Sequence, residues 1–145
     1  MQAHFQQIID ALPYSEPFLF VNTLHSVSEN GAEGSYTFSK DSYFYEGHFK
    51  NNPVTPGVIL TECMAQIGVV CLGIYLTQKN TSEKAQLALS STQVDFYKAV
   101  FPEETVRVVS EKEYFRFNKL KCKVTMYNEA NEIVCKGNIS GMVKL

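Results

Sequence analysis

The sequence predicts an α+β fold: an antiparallel sheet packed around one central helix. Two observations carry this reading. Val58 to Leu76 is a long apolar run opened by Pro56 and Gly57, and a proline is tolerated at a helix start because its missing N–H needs no partner there. Residues 87–143 then show apolar and polar side chains in stretches of alternation, broken by turn signals. That is the pattern of strands covered on one face.

Taken in order, residues 4–12 place Phe5, Ile8, Ile9 and Leu12 at helical spacing, an amphipathic helix that Pro13 ends. Phe18 to Val27 is rich in aromatic and branched residues and reads as a strand. Glu29-Asn30-Gly31 signals a hairpin, and Ala32 to Phe38 returns with Tyr36 and Phe38 on one face. Ser39 to Tyr45 connects to Gly47–Pro56, where a histidine, two prolines and a glycine describe a fixed loop. After the central helix, Gln78 to Lys84 is a polar surface connection. Leu87 to Ala99 alternates in part, Pro102-Glu103-Glu104 breaks it, and Val106 to Phe117 continues. Asn118-Lys119 turns the chain into Lys121–Tyr127, which alternates cleanly. Asn128 to Asn131 closes a further hairpin, and Glu132 to Val143 is the last strand.

At 145 residues the chain reads as one domain, 1–145. Its 45% hydrophobic and 19% charged residues are those of a soluble globular protein. A net charge of −2 argues against nucleic acid as a partner and against a basic membrane-binding face. The first residues lack a basic start followed by an apolar core, so a cytoplasmic location is expected. Cys63, Cys71, Cys122 and Cys135 form no CxxC pair and suit reduced core positions. The apolar run is long enough to cross a bilayer, yet Glu62 and Gln66 lie inside it. An acid is expensive in lipid, so the run reads as a helix wrapped by a sheet, with no membrane involved.

The chemistry concentrates in Gly47–Gln66, GHFKNNPVTPGVILTECMAQ. One imidazole, His48, lies just before the helix, and one carboxylate, Glu62, lies inside it. Removing a weakly acidic proton suits an imidazole, whose reference pKa is about 6.5. A carboxyl in apolar surroundings holds its proton more tightly and suits a general acid. Backbone amides at Gly57 and Val58 open a helix whose dipole favours negative charge. Gln66, one turn beyond Glu62, either orients it or a water, or simply packs. A zinc site from His48, Glu62 and Cys63 has poor ligand spacing. His4 and His25 carry no motif and read as surface residues. Phe44, Tyr45 and Phe96 are candidates for an acyl tunnel or for plain packing.

Gly47-His48-Phe49, Pro53-Val54, Pro56-Gly57-Val58 and Glu62-Cys63-Met64-Ala65-Gln66 together resemble the β-hydroxyacyl-acyl-carrier-protein dehydratases of the hot-dog fold. The likeness is to the branch with glutamate, not the isomerising branch with aspartate at that position. It extends to Leu12-Pro13, Pro17-Phe18-Leu19 and Phe96–Pro102. The resemblance implies that His48 and Glu62 are catalytic and that the Gly57 amide receives enolate charge. Val58, Phe49 and Gln66 join Gly57 around the substrate. No metal or organic cofactor is implied. The implied substrate is a 3-hydroxyacyl phosphopantetheine thioester on an acyl carrier protein, dehydrated to the trans-2-enoyl thioester in fatty acid or polyene/polyketide-type biosynthesis. The implied assembly is a homodimer or an assembly of dimers, with a heterodimer with a related subunit as the alternative. Two subunits would join into one sheet, the histidine of one facing the glutamate of the other. Rival readings are a hot-dog thioesterase and a non-catalytic acyl-binding or partner subunit. Tyr14 and Ser15 stand where the family has histidine and arginine, so the surface lacks basic residues there to meet an acidic carrier.

Overall fold

The computed structural model describes residues 2–77 and 86–144. Among them, helix α1 (Gln2–Asp10) precedes strands β1 (Thr23–Ser28) and β2 (Gly31–Thr37). The long helix α2 (Gly57–Thr77) follows, then β3 (Gln86–Phe96), β4 (Thr105–Arg116), β5 (Lys119–Tyr127) and β6 (Ile133–Lys144). The strands form one six-stranded sheet in the order β1-β2-β4-β5-β6-β3, every neighbour antiparallel. The predicted α+β arrangement of two strands, a central helix and four strands is the observed one. The polar connection expected at residues 78–84 lies outside the described residues.

Alternation decides which face of the sheet meets α2. On β5, Leu120, Cys122, Val124 and Met126 are buried, and the lysines between them point away. On β4, Val106, Val108 and Ser110 do the same. The helix packs on these side chains so closely that a methyl group on Gly68 would lie 3.0 Å from Ser110 Cβ and 3.1 Å from Val124 Cγ1. Most of the apolar α2 window, 72%, is buried, which is the fate expected of a helix apolar on nearly all sides. All four cysteines are buried and unpaired, as expected.

Three local expectations are corrected. The strand expected over Phe18–Val27 begins only at Thr23. Upstream, the backbone groups of Phe18 and Phe20 are taken by side chains of α2 instead of a neighbouring strand: the Phe20 N–H donates to Gln66 Oε1 at 2.7 Å, and Phe18 O accepts from Gln66 Nε2 at 3.0 Å. The turn expected at Asn118-Lys119 falls one residue earlier, at Phe117-Asn118, because Arg116 and Lys119 are the last cross-strand pair. Both turn residues have positive φ, 53° and 62°, the pattern of a two-residue I′ hairpin.

The third correction lies inside α2, which is α-helical over Gly57–Ala65 and widens to a π-helical stretch over Gln66–Val70. There the Cys71 N–H reaches back to Gln66 O, and the Ser110 hydroxyl donates to Gly68 O at 2.8 Å. Periodicity alone does not distinguish an α-helix carrying such an insertion.

Strands β1 and β3 end the sheet. Among the described residues β3 pairs only with β6, and Leu89 (44%) and Phe96 (50%) on it are exposed.

Candidate active site

The loop that carries His48 follows a single 3₁₀ turn, Tyr43–Glu46. His48 and Phe49 are joined by a cis peptide, and their rings stack at 4.0 Å. Two reciprocal backbone bonds shape the loop: Phe49 N–H to Asn52 O and Asn52 N–H to Phe49 O. A third, Val54 N–H to His48 O at 2.8 Å, closes it. The ring of His48 is anchored by Nδ1, which lies 2.9 Å from Val54 O. A carbonyl oxygen only accepts, so Nδ1 carries the proton and Nε2 of the neutral ring keeps a free lone pair. That is the tautomer a proton-abstracting base needs.

Glu62 is half-buried one turn inside α2. Burial raises its pKa above the ordinary carboxylate value, and a hydrogen bond from Gln66 Nε2 at 3.0 Å works in the opposite direction. Gln66 itself is fully buried. Its Oε1 accepts from Phe20 N–H, and its Nε2 donates to both Phe18 O and Glu62 Oε2. Of the two readings of Gln66, the orienting one therefore has a direct hydrogen bond to Glu62 behind it.

Helix α2 starts after Pro56, which offers no side-chain cap. The amides of Gly57 and Val58 fall in the first turn, where N–H groups have no intrahelical acceptor. The Phe96 ring sits so close over Gly57 that a Cβ there would meet it at 3.2 Å, so only glycine leaves these amides open without displacing the ring. Val58 is 76% exposed and Phe49 55%. Phe96, also half-exposed, adds an apolar ring at the helix start.

Among the described residues, His48 and Glu62 make separate hydrogen bonds, and neither bonds the other. No group of three His, Cys, Asp or Glu side chains there could hold a metal ion. Of the aromatic candidates, Phe96 stands over Gly57 at the site. Tyr45 is buried with its hydroxyl on Thr55, and Phe44 packs on Phe38 and Tyr45. His25 is exposed as expected, but His4 is half-buried edge-on to Tyr75. Sequence reasoning missed the tie between Gln66 and the Phe18–Phe20 segment, since no local pattern announces a contact between residues 46 and 48 positions apart.

A half-buried acid on the central helix, an imidazole with a free ring nitrogen and an open helix N-terminus thus lie on one sheet-wrapped helix and the loop before it. The FabA-like domain family matches residues 12–139, and the chain belongs to that family. The 3-hydroxyacyl-[acyl-carrier-protein] dehydratase FabZ of Caldicellulosiruptor saccharolyticus is 32% identical over 138 residues, covering 94% of this chain and 96% of that protein. FabZ of Ehrlichia canis is 31% identical over 147 residues, covering 99% and 97%. Among solved structures, the dehydratase heterocomplex ApeI:P of Xenorhabdus doucetiae superposes with a TM-score of 0.80 at 14% identity, covering 94% of this chain and 91% of that one. A hypothetical thioesterase from Streptococcus pneumoniae, solved with coenzyme A, reaches 0.61 at 14% identity, covering 99% and 97%. The fold is the hot-dog fold.

Proposed function

We propose that the protein removes water from a 3-hydroxyacyl thioester held on an acyl carrier protein, giving the trans-2-enoyl thioester. The observation that carries this reading is the anchoring of His48: with Nδ1 on Val54 O, Nε2 is the free base. It takes a proton from C2, and the electrons move onto the thioester carbonyl. The oxygen's growing negative charge falls on the Gly57 and Val58 amides at the helix start. The enolate then expels the C3 hydroxyl, which leaves as water with a proton from Glu62. The turnover ends with His48 protonated and Glu62 ionised, and exchange with solvent resets both. No step calls on a metal or organic cofactor. In this reading the enzyme works in the cytoplasm, where buried thiols stay reduced.

The complete site is shared between two subunits in this reading. His48 and Glu62 of one chain hold separate partners, and β3 leaves a row of unpaired backbone groups beside exposed Leu89 and Phe96. Pairing two β3 edges removes that liability, and a twofold axis would create two sites, each with one chain's His48 and the other chain's Glu62. A related subunit in place of the second copy is the alternative, in keeping with the heterocomplex among the structural relatives.

The carrier's contact surface is the β4–β5 hairpin. The surface beside Tyr14 and Ser15 lacks basic residues, but Lys112, Arg116, Lys119, Lys121 and Lys123, five of the 13 lysines and arginines, cluster on this hairpin. Glu113 lies 3.9 Å from Lys121 and Glu111 stands opposite Lys123, so the five basic groups outnumber the two acids beside them and the patch suits an acidic partner.

The test is incubation with 3-hydroxyacyl carrier thioesters of several chain lengths, with products followed by mass. Loss of water supports the reading; release of free acid would replace it with a thioesterase, and an unchanged substrate with a non-catalytic subunit. Lys119→Glu with Lys121→Glu should raise KM for the carrier-bound substrate and leave a short pantetheine thioester unaffected.

A further inference from the structure

The His48 loop is closed by a bond outside the machinery described so far. Tyr45 (7% exposed) and Thr55 (4% exposed) lie on its two flanks, and their hydroxyls meet at 2.6 Å. The Thr55 N–H donates to Val100 O at 2.8 Å, which anchors this flank to the segment leaving β3. Inside the tie lie His48, its carbonyl bond to the Val54 N–H and its Nδ1 anchor on Val54 O. On the far side, Thr55 runs straight into Pro56 and Gly57, where α2 begins. One short segment, Val54 to Pro56, therefore sets the separation between the imidazole and the first helical amides. The Tyr45–Thr55 bond ties that segment to the 3₁₀ turn that precedes His48.

We infer that Tyr45 and Thr55 are a positioning pair for the dehydration, holding His48 Nε2 in register with the Gly57 and Val58 amides. The inference rests on the role proposed for His48. Proton removal and charge development occur on adjacent substrate atoms, so the base and the amides must keep one geometry; a displacement of about 1 Å costs up to a hundredfold in rate. Both residues are buried and their hydroxyls are engaged with each other, so the pair acts through the loop it closes.

A pair that merely fills the core behaves differently from one that holds geometry, and matched apolar replacements separate the two. Tyr45→Phe or Thr55→Val leaves one buried hydroxyl without its partner, which destabilises. Replacing both by apolar groups of the same shape is nearly neutral. The experiment compares Tyr45→Phe, Thr55→Val, the double variant and Thr55→Ser in the full chain, with His48→Ala alongside. Tm, kcat and KM are measured on a 3-hydroxyacyl carrier thioester. The expected result is that both single variants lose Tm and kcat. The double variant should recover Tm while its kcat stays down about tenfold, with KM close to that of the unaltered protein. Thr55→Ser, which keeps the hydroxyl, should restore most of kcat. A double variant that recovers kcat together with Tm reduces the pair to packing and overturns the inference. If His48→Ala keeps full turnover, the reading of His48 has failed, and the positioning role falls with it for that separate reason.

Discussion

The amide of Gln66 has no freedom to turn over. Phe20 N–H needs an acceptor and Phe18 O needs a donor, so Oε1 must face the first and Nε2 the second. Nε2 is then obliged to donate to Glu62. A donor favours the charged carboxylate, while burial favours the protonated acid, and burial is the larger effect. Gln66→Leu should therefore raise the Glu62 pKa further and move the alkaline limb of the kcat profile to higher pH. A limb that stays put would deny the hydrogen bond its electrostatic role. The same change leaves the buried Phe20 N–H unpaired and the Phe18 carbonyl without its donor, so denaturant unfolding should show a loss of about 2 kcal/mol. His48→Ala and Glu62→Ala should each slow dehydration about 100-fold or more with the fold retained. Near-normal turnover in either would remove that residue from the mechanism. His48, Glu62 and the helix-start glycine were legible because their spacing is a local property of the chain. The Gln66 tie and the Tyr45–Thr55 bond were not, because each depends on a contact that only the folded loop or sheet creates.

At the level of elements, the β4–β5 hairpin carries a visible conflict between turn and residue. Phe117 holds φ at 53° while 91% exposed, so it accepts left-handed backbone without burying its ring. Phe117→Asn should stabilise the protein by about 1 kcal/mol, since asparagine tolerates this region far better. The measurement is the urea midpoint, and a fall in it would mean the ring makes stabilising contacts. The same hairpin explains a one-residue misreading: Asn118 is a turn former in any sequence, but a phenylalanine beside it looks like strand. The strand misread at Phe18–Asn22 has the opposite cause. Its composition is that of a strand, and a helix side chain took the hydrogen bonds a neighbouring strand would have used.

For the molecule as a whole, the antiparallel sheet and the wrapped helix were legible because alternation and one long apolar run are strong, independent signals. What alternation leaves open is which strand stands at the edge, since order depends on pairing between distant segments. The bare β3 edge leads to a test of the shared site. When His48→Ala and Glu62→Ala chains are refolded together, random pairing makes about half the dimers mixed, each with one intact site of two. Activity should return to roughly a quarter of the unaltered enzyme, and no return from proven mixed dimers would place both residues in one subunit. Alkaline stability offers a second test. Burial raises Tyr14 and Tyr36 to about 12, Cys135 to about 12 and Cys122 to about 11. A raised pKa favours the protonated form in the fold. Their contribution is thus full below the ordinary values of 9.0 and 10.0 and is lost as pH rises through 11 to 12. The urea midpoint should hold to about pH 9 and then decline steeply.

The helix that the sheet wraps is also synthesised before most of its wrapping. When Thr77 has just been added to the chain, only β1 and β2 of the six strands have been made, and the faces of β4 and β5 that cover Gly68 are still to be translated. A segment apolar enough to span a bilayer thus emerges from the ribosome before the strands that cover it. Nascent chains halted once α2 has cleared the ribosome, with β4 and β5 not yet emerged, should bind holdase chaperones or microsomes strongly. Chains halted after Val143 and free of the ribosome should bind neither.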